Sequence, residues 1–135
     1  MTDIFSFPPD SPQCPIRWML NRLGERWSLY VMCRLHDAGP QRFSEIAENL
    51  GAPISNRMLA ATLDKLEADG LVTRALDHGM PLYRMTDLGA SLMVPMRSLV
   101  DWTMANARAL DAARRRFGER PLDLPPTLLE DAKAG

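Results

Sequence analysis

The chain has 135 residues, of which 46% are hydrophobic, and a formal net charge of −1 at pH 7. This length predicts one domain with a single core, and the near-zero charge restricts nucleic-acid binding to local basic patches. No apolar run approaches the roughly 20 residues of a transmembrane helix, and residues 1–13 lack the basic and apolar segments of a signal peptide. We therefore expect a cytoplasmic protein with no membrane partner.

Residue types that bind metals or catalyse reactions are scarce. Two cysteines, Cys14 and Cys33, and two histidines, His36 and His78, are too few for a disulfide scaffold and show no metal-ligand spacing. The sequence also lacks a nucleophile elbow and a Gly-rich phosphate loop. We expect neither an enzyme nor a protein that carries a metal or cofactor.

The N-terminal part is predicted to be an arm followed by two helices. Residues 1–13 hold three prolines and little periodicity, which predicts an extended arm. Pro15 suits the first turn of a helix, which Gly24 ends. The next helix runs from Glu25 to just before Gly39, and its apolar residues cover most of its circumference. It should therefore be a buried central helix.

The middle of the chain predicts a winged helix. Ser44 is an N-cap type of residue in RFSEIAENLG, and Ser55 is another at the start of a longer helix that Gly70 ends. Two helices joined by a tight turn, the second one longer, form the helix-turn-helix pattern. The β-prone segments LVTRAL and LYRMT flank the turn formers DHGMP and predict a hairpin over residues 71–86. A helix-turn-helix followed by a hairpin is a winged helix.

The C-terminal part is predicted to be one long helix and a tail. Thr86 can cap a helix from Asp87 to about Arg116, which Pro95 should kink. The fold class is mainly α with a small β-hairpin. The predicted domain organisation has three segments: an N-terminal arm at 1–13, a winged-helix domain at 14–116 and a loosely packed, Pro-rich tail at 117–135.

An ordered set of short motifs spans about residues 14–102. In chain order they include Cys14-Pro15, Leu23-Gly24, Trp27, Gly39-Pro40, Arg42-Phe43-Ser44-Glu45-Ile46, Ile54-Ser55, Met58-Leu59, Leu66-Glu67, Asp69-Gly70-Leu71-Val72, Tyr83, Met85-Thr86, Gly89, Pro95 and Trp102. This set resembles the HxlR-type transcriptional regulators, a branch of the MarR-like winged-helix proteins. The resemblance implies a homodimeric DNA-binding regulator whose N- and C-terminal helices build the dimer interface.

The chain departs from the pattern of that family in its DNA-reading parts. The family usually has polar residues, often Thr-Gln, where this chain has Ala60-Ala61. Its hairpin also tends to be longer and to hold paired prolines, whereas only Pro81 precedes Tyr83 here. The resemblance therefore gives no target DNA sequence.

Helical periodicity divides the Ser55–Gly70 helix into two faces. Leu59, Thr62, Leu63 and Leu66 should face the core, and Arg57, Ala61, Asp64, Lys65 and Ala68 should face outward. The DNA-binding candidates on this helix are Ser55, Asn56, Arg57, Ala61 and Lys65. Arg57 can take guanine or a phosphate, Asn56 can address adenine, and an alanine can touch a thymine methyl. The alternative is an ordinary solvated helix face.

Further phosphate contacts are expected from Arg42 and Ser44, and from His78 and Arg84 on the hairpin. Asp77 at the hairpin tip would oppose them by repelling phosphate. Arg74 could instead hold the base of the hairpin to a carboxylate. The arginines at 114–116 are expected to complement the negative end of the last helix, or to be simply solvated, rather than to bind DNA.

Cys14 is the candidate for redox sensing. It lies at or beside a helix N-terminus, which favours the reactive thiolate, and the polar arm before it suggests exposure. Some HxlR-type regulators that share this N-terminal cysteine sense oxidants or electrophiles. The alternative is a small buried residue at the dimer interface. Cys33 is expected to be an inert core residue, and pairing of Cys14 with Cys33 stays open.

The sequence thus predicts a homodimeric, DNA-binding transcriptional regulator that reads a pseudo-palindromic operator. The helix at 55–70 would enter the major groove and the hairpin at 71–86 would act as the wing. A chemical event at Cys14 would change the spacing of the two reading helices. Two alternatives remain: the same regulator controlled by a small-molecule effector near the dimer interface, and a winged helix used only for protein contacts.

Overall fold

A computed structural model gives the fold of the chain and describes residues 6, 8, 11, 13–51 and 53–128. Its main elements are α1 (Pro15–Leu23), α2 (Ser28–Ala38), α3 (Phe43–Asn49), α4 (Asn56–Ala68), β1 (Val72–Asp77), β2 (Met80–Met85), α5 (Asp87–Ala105) and α6 (Ala107–Arg116). This order confirms the predicted fold class, mainly α with a small hairpin. The predicted arm at 1–13 lies largely outside the described residues. The chain divides into two compact units, residues 1–93 and 94–135.

The hydrophobic core of the first unit forms around α2 and α4. Its buried residues are Val31, Met32, Leu35, Ile46, Leu59, Leu63, Leu66, Leu71, Val72, Tyr83 and Met93. The prediction that α2 is buried is confirmed for its Val31 and Leu35 side but is wrong for Tyr30, which is 59% exposed. The helix also begins at Ser28 rather than at Glu25, since residues 25–27 lie in a turn.

The two helices of the helix-turn-helix begin in different ways. Arg42, not Ser44, is the N-cap residue of α3, and its backbone N–H donates to Glu45 Oε1 over 3.0 Å. Ser44 is therefore the second residue of the helix, and the prediction that it caps α3 is wrong. The predicted cap of α4 is confirmed, because Ser55 Oγ accepts the backbone N–H of Met58 over 3.1 Å.

The two predicted faces of α4 are confirmed. The buried residues are Leu59, Thr62, Leu63 and Leu66. Arg57, Ala61, Asp64, Lys65 and Ala68 are exposed. Residues three and four apart lie on the same side of a helix, so the regular spacing of the leucines fixes the inner face.

The end of α4 is a Schellman motif. Gly70 has a φ of +77°, its N–H donates to the Glu67 carbonyl over 3.0 Å, and the N–H of Leu71 donates to the Leu66 carbonyl over 3.0 Å. Glycine adopts this left-handed conformation without steric cost. The helix therefore stops at a defined residue and leads directly into β1.

The hairpin has a tighter turn than the sequence predicts. Asp77 pairs with Met80, so only His78 and Gly79 form the turn, and both have positive φ, 52° and 77°. Two consecutive left-handed residues are typical of a type I′ turn, which matches the twist of the strands. The backbone of Tyr83 also pairs with that of Gln41 through bonds of 2.9 and 2.8 Å, which ties the hairpin to the segment before α3.

The predicted long C-terminal helix is two helices. The capping prediction is confirmed, because Thr86 Oγ1 accepts the N–H of Gly89 over 3.0 Å. The helix then continues through Pro95, and the interruption lies at Asn106, between α5 and α6. The Asn106 side-chain amide donates to the Trp102 carbonyl over 2.8 Å, and so provides a hydrogen-bond donor to a carbonyl in the last turn of α5.

The described part of the tail is hydrogen-bonded to α6, although most of its residues are exposed. The Leu122 N–H donates to Asp111 Oδ1 over 2.8 Å, and Arg114 Nε donates to the Arg120 carbonyl over 2.8 Å. The Leu122 N–H and then Arg115, whose Nε is 2.9 Å from Asp111 Oδ2, lower the pKa of Asp111 below its ordinary value. Among the described residues, the helices are too short or too polar to span a bilayer.

Candidate nucleic-acid interface

The exposed start of α4 presents side chains suited to reading bases. Asn56 and Arg57 are exposed, and Arg57 forms no ion pair with another described residue. Met58, which is not among the predicted contact residues, is 50% exposed in the same turn. Ala61 lies exposed one turn further along. This surface therefore combines one uncompensated cation, one amide and two apolar groups.

Lys65 lies in a cluster of charges that also holds the end of α1. We call Arg22, Glu25, Lys65 and Asp69 the Arg22 cluster. Lys65 Nζ is 3.4 Å from Glu25 Oε2, and Arg22 Nη1 donates to Glu25 Oε1 over 2.8 Å. Arg22 also forms an ion pair with Asp69, with Nη2 donating to Oδ1 over 3.2 Å. The charge of Lys65, unlike that of Arg57, is therefore already paired.

Burial and ion pairing act in opposite directions on Arg22. Burial disfavours the charged guanidinium, but the hydrogen bond and the attraction to Asp69, together with Glu25, outweigh it and raise the pKa of Arg22 above its ordinary value. The guanidinium thus stays charged and joins the last turn of α1 to the C-terminus of α4. The position of α4 depends on this contact as well as on its leucines.

Arg42 holds the wing in place. Its Nη2 donates to Asp77 Oδ2 over 2.7 Å, and its Nη1 donates to the carbonyls of Met80 and Pro81 over 2.8 and 3.3 Å. The residue expected to bind phosphate and the residue expected to repel it are therefore partners. Arg42 compensates the Asp77 charge and joins the start of α3 to the hairpin. A phosphate contact by Arg42 stays a prediction.

The remaining wing candidates are exposed. His78 at the turn has a side chain that is 91% exposed, with Nδ1 3.2 Å from Asp77 Oδ1. Arg84 is exposed on β2, opposite Thr73. Arg74 is exposed opposite Tyr83 in the middle of the hairpin and forms no ion pair with another described residue. The idea that Arg74 holds the hairpin base to a carboxylate is therefore wrong.

Ser44 lies beside the wing. It lines a cavity of about 400 Å³ together with Arg42, Phe43, Met80, Pro81 and Tyr83. The structure thus places Ser44 and Arg42 at one junction of helix and hairpin, with Ser44 exposed and Arg42 bonded. Their contact with DNA stays a prediction.

Cys14 is the N-cap residue of α1, as predicted, but it is only 7% exposed. The expectation of an exposed thiol is therefore wrong for this structure. Cys33 is half-buried and packs against the core of the first unit, which agrees with its expected position. The spacing that predicts an N-cap reports only the local backbone structure and does not determine how exposed the side chain is.

A helix-turn-helix that exposes the start of its second helix and continues into a two-stranded wing defines the winged-helix class of DNA-binding regulators. The chain belongs to the HxlR-like helix-turn-helix family, whose model matches residues 22–111. The resemblance seen in the sequence is thereby confirmed. The HTH-type transcriptional regulator YtfH of Escherichia coli strain K12 is 32% identical over 105 residues, which cover 76% of this chain and 82% of YtfH.

Solved structures of similar sequence have the same fold. The reduced form of the transcriptional regulator YodB from B. subtilis is 32% identical, with a TM-score of 0.60, and the match covers 67% of this chain and 91% of YodB. The redox regulator HypR in its reduced form is 28% identical, with a TM-score of 0.65, and the match covers 73% of this chain and 98% of HypR. The chain is thus a DNA-binding transcriptional regulator of this family.

Proposed function

We propose that the chain acts as a homodimer and reads a pseudo-palindromic operator by laying one α4 in the major groove of each half-site. The observation that carries this proposal is the uncompensated Arg57 beside Asn56 in the exposed first turn of α4. Residues in the first turns of a recognition helix are those that reach base edges. The wing formed by β1 and β2 lies toward the flanking groove.

Base reading is divided among a few side chains. Arg57 binds guanine O6 and N7 or a phosphate, and Asn56 binds the adenine edge. Met58 and Ala61 offer apolar surface to thymine methyl groups. Ser55, Ser44, His78 and Arg84 contact the phosphate backbone. Because Arg42 and Lys65 are already ion-paired, their phosphate contacts require an exchange of partner, and they contribute less than Arg57.

Exposed apolar side chains on α5 support dimerisation. Val94, Leu99, Trp102 and Met104 are between 47% and 72% exposed. Large apolar groups exposed together along one helix are typical of a protein interface. The N-terminal α1 also exposes Trp18 and Leu20. A second copy of this chain is the partner that covers these helices, as the family resemblance implies.

Cys14 is the proposed sensing residue. YodB has been solved in a quinone-bound form, and HypR is called a redox regulator and has been solved in reduced and oxidized forms. In this chain a thiol reaction at Cys14 requires the start of α1 to open, since the residue is buried. α1 leads through Arg22 to Asp69 at the end of α4, so its movement reaches the reading helix.

The test begins with DNA that copurifies with the protein. A fragment found in this way is used as an operator in fluorescence anisotropy, with a random duplex of equal length beside it. We expect Arg57→Ala to weaken operator binding by about 1–3 kcal/mol and random binding by less, because it removes a base contact. Arg34→Ala, which removes an exposed arginine of α2, is the matched control.

The outcomes separate the alternatives. Equal operator affinity for wild type and Arg57→Ala at low salt would contradict the assignment of α4. If the wild type shows no salt-dependent duplex binding at all, the winged helix serves protein contacts instead. Another outcome is that a small molecule releases the DNA while intact-protein mass spectrometry shows every thiol unmodified. That outcome would favour a regulator controlled by a bound effector over a thiol sensor.

A further inference from the structure

A groove of about 360 Å³ runs between the turn that follows α1 and the outer surface of α4. It is lined by Glu25, Arg26, Trp27, Met58, Ala61, Thr62 and Lys65. Two of these residues, Met58 and Ala61, belong to the exposed face of α4 that reads bases under the proposed function. The turn at 25–27 is therefore the immediate neighbour of the reading surface, although it lies about 30 residues earlier in the sequence.

The charges along this groove leave one cation uncompensated. In the Arg22 cluster, the cations Arg22 and Lys65 are paired with the carboxylates of Glu25 and Asp69. Two positive and two negative charges cancel in that cluster. Arg26 is exposed and forms no ion pair with another described residue. Among the residues that line the groove, the net positive charge is therefore that of Arg26.

Trp27 restrains the Arg26 side chain. The guanidinium carbon of Arg26 lies 5.0 Å from the centroid of the Trp27 ring, within cation–π range. A guanidinium held against a ring loses less conformational entropy when it binds an anion, and its N–H groups remain free around its edge. The site is thus a preorganised donor rather than a freely moving surface arginine.

The dimensions of DNA determine which part of the duplex lies next to the Arg26 guanidinium. An α-helix with its side chains is about 10–12 Å across, and the major groove is about 12 Å wide. A helix that enters the major groove therefore lies between the two phosphate backbones, which form the walls of the groove. A side chain beside the outer face of that helix lies next to one of these walls. Phosphates are the only anions on that wall, and Arg26 is an uncompensated cation that lines the same groove as Met58 and Ala61.

We propose that Arg26, held by Trp27, binds a backbone phosphate at the edge of the major groove occupied by α4. This inference rests on the proposed function and extends the DNA-binding surface to the turn between α1 and α2. A phosphate contact positions the protein and carries no sequence information. Arg26 therefore sets the register of α4 in the groove, while Arg57 and Asn56 select bases.

The test compares the salt dependence of binding for wild type, Arg26→Ala, Arg26→Lys and the control Arg34→Ala. Anisotropy titrations against the copurified operator and a random duplex are run between about 0.05 and 0.3 M salt. We expect Arg26→Ala to weaken both duplexes by a similar factor, roughly 3- to 8-fold near 0.1 M, and to lower the slope of log affinity against log salt by about 0.9. Arg26→Lys should keep the wild-type slope, and Arg34→Ala should leave both quantities unchanged.

The result that overturns the inference is an Arg26→Ala variant with wild-type slope and affinity, while Arg57→Ala still loses operator binding. In that case the proposed function stands and the turn at 25–27 lies away from DNA. If neither variant nor the wild type binds duplex, the proposed function itself is wrong and the inference falls with it. Equal loss in Arg26→Ala and Arg34→Ala would also overturn it, because net charge rather than position would explain the effect. Thermal unfolding of each variant establishes that it is folded before titration.

Discussion

Arg22, in the last turn of α1, forms an ion pair with Asp69, the C-cap residue of α4. The two residues are 47 positions apart, and the Asp69 side chain is 6% exposed. Because Cys14 is the N-cap residue of α1, this pair connects the proposed sensing residue with the proposed reading helix through a single helix of nine residues. A displacement of α1 must either carry the end of α4 with it or break the ion pair.

Removing Arg22 should destabilise the fold more than removing its exposed neighbour. Arg22→Ala leaves the buried carboxylate of Asp69 without its partner, which should cost about 2–3 kcal/mol of unfolding free energy. Lys65→Ala breaks only the exposed pair with Glu25 and should cost less than about 1 kcal/mol. Urea unfolding followed by circular dichroism measures both. Equal free energies of unfolding for the two variants would show that the charge of the Asp69 carboxylate is stabilised by groups other than Arg22.

Thiol chemistry at Cys14 is tested by treating the protein with a quinone and measuring DNA affinity. The thiolate adds to a ring carbon as a C=C π bond breaks, and the thiol proton and the displaced ring proton move to the two quinone oxygens, which gives a hydroquinone thioether. We expect the wild type to lose roughly 10-fold in operator affinity, a typical coupling between two sites, and Cys14→Ser to lose none. Cys33→Ser is the control and should respond as the wild type does. A Cys14→Ser variant that still responds would exclude Cys14 as the sensor.

Relieving the charge at the wing tip should strengthen DNA binding. Asp77→Asn removes the negative charge that Arg42 compensates, while the bonds from Arg42 to the Met80 and Pro81 carbonyls keep the hairpin in place. One additional free cation should raise affinity for any duplex by roughly 3- to 8-fold near 0.1 M salt. Anisotropy with a random duplex measures the change. Weaker binding would mean that the carboxylate is needed to position the wing.

Gly89 should tolerate no side chain, although it lies inside a helix. A Cβ at this position would overlap the carbonyl oxygen of Leu71 and lie 2.8 Å from Met85 Cε. Alanine is favoured over glycine in helices by about 1 kcal/mol. The clash with backbone should nevertheless dominate, so that Gly89→Ala is destabilised by about 3 kcal/mol or more. Ser91→Ala, an exposed change on the same helix, should stay within about 0.5 kcal/mol of wild type in the same urea titration.

Local features of this fold were predictable from the sequence. The leucines of α4 recur at helical spacing, so their inner face was predicted residue by residue, and Ser55 and Gly70 mark the helix ends by their own conformational preferences. The break at Asn106 was missed because proline is the stronger local signal, yet Pro95 is accommodated inside α5.

Contacts between distant residues could not be predicted in this way. The partner of Arg42 is 35 residues away and that of Arg22 is 47 residues away, and no periodicity relates such positions. The burial of Cys14 was likewise not evident from the spacing that predicts its N-cap position. These long-range contacts decided which cations of the candidate interface remain uncompensated, and they separate Arg57 and Arg26 from Arg42 and Lys65.

The Schellman motif at Gly70 has a consequence for how this protein can diversify. Only Asp69, Gly70 and Leu71 separate α4 from β1, and Thr86 closes the junction from the other strand by bonding to the Gly70 and Leu71 carbonyls. Helix and wing are therefore joined by a short connection whose backbone is hydrogen-bonded on both sides. Under the proposed function, new operators can then be acquired by exchanging exposed side chains at positions 56–61, without any change in the backbone that presents them.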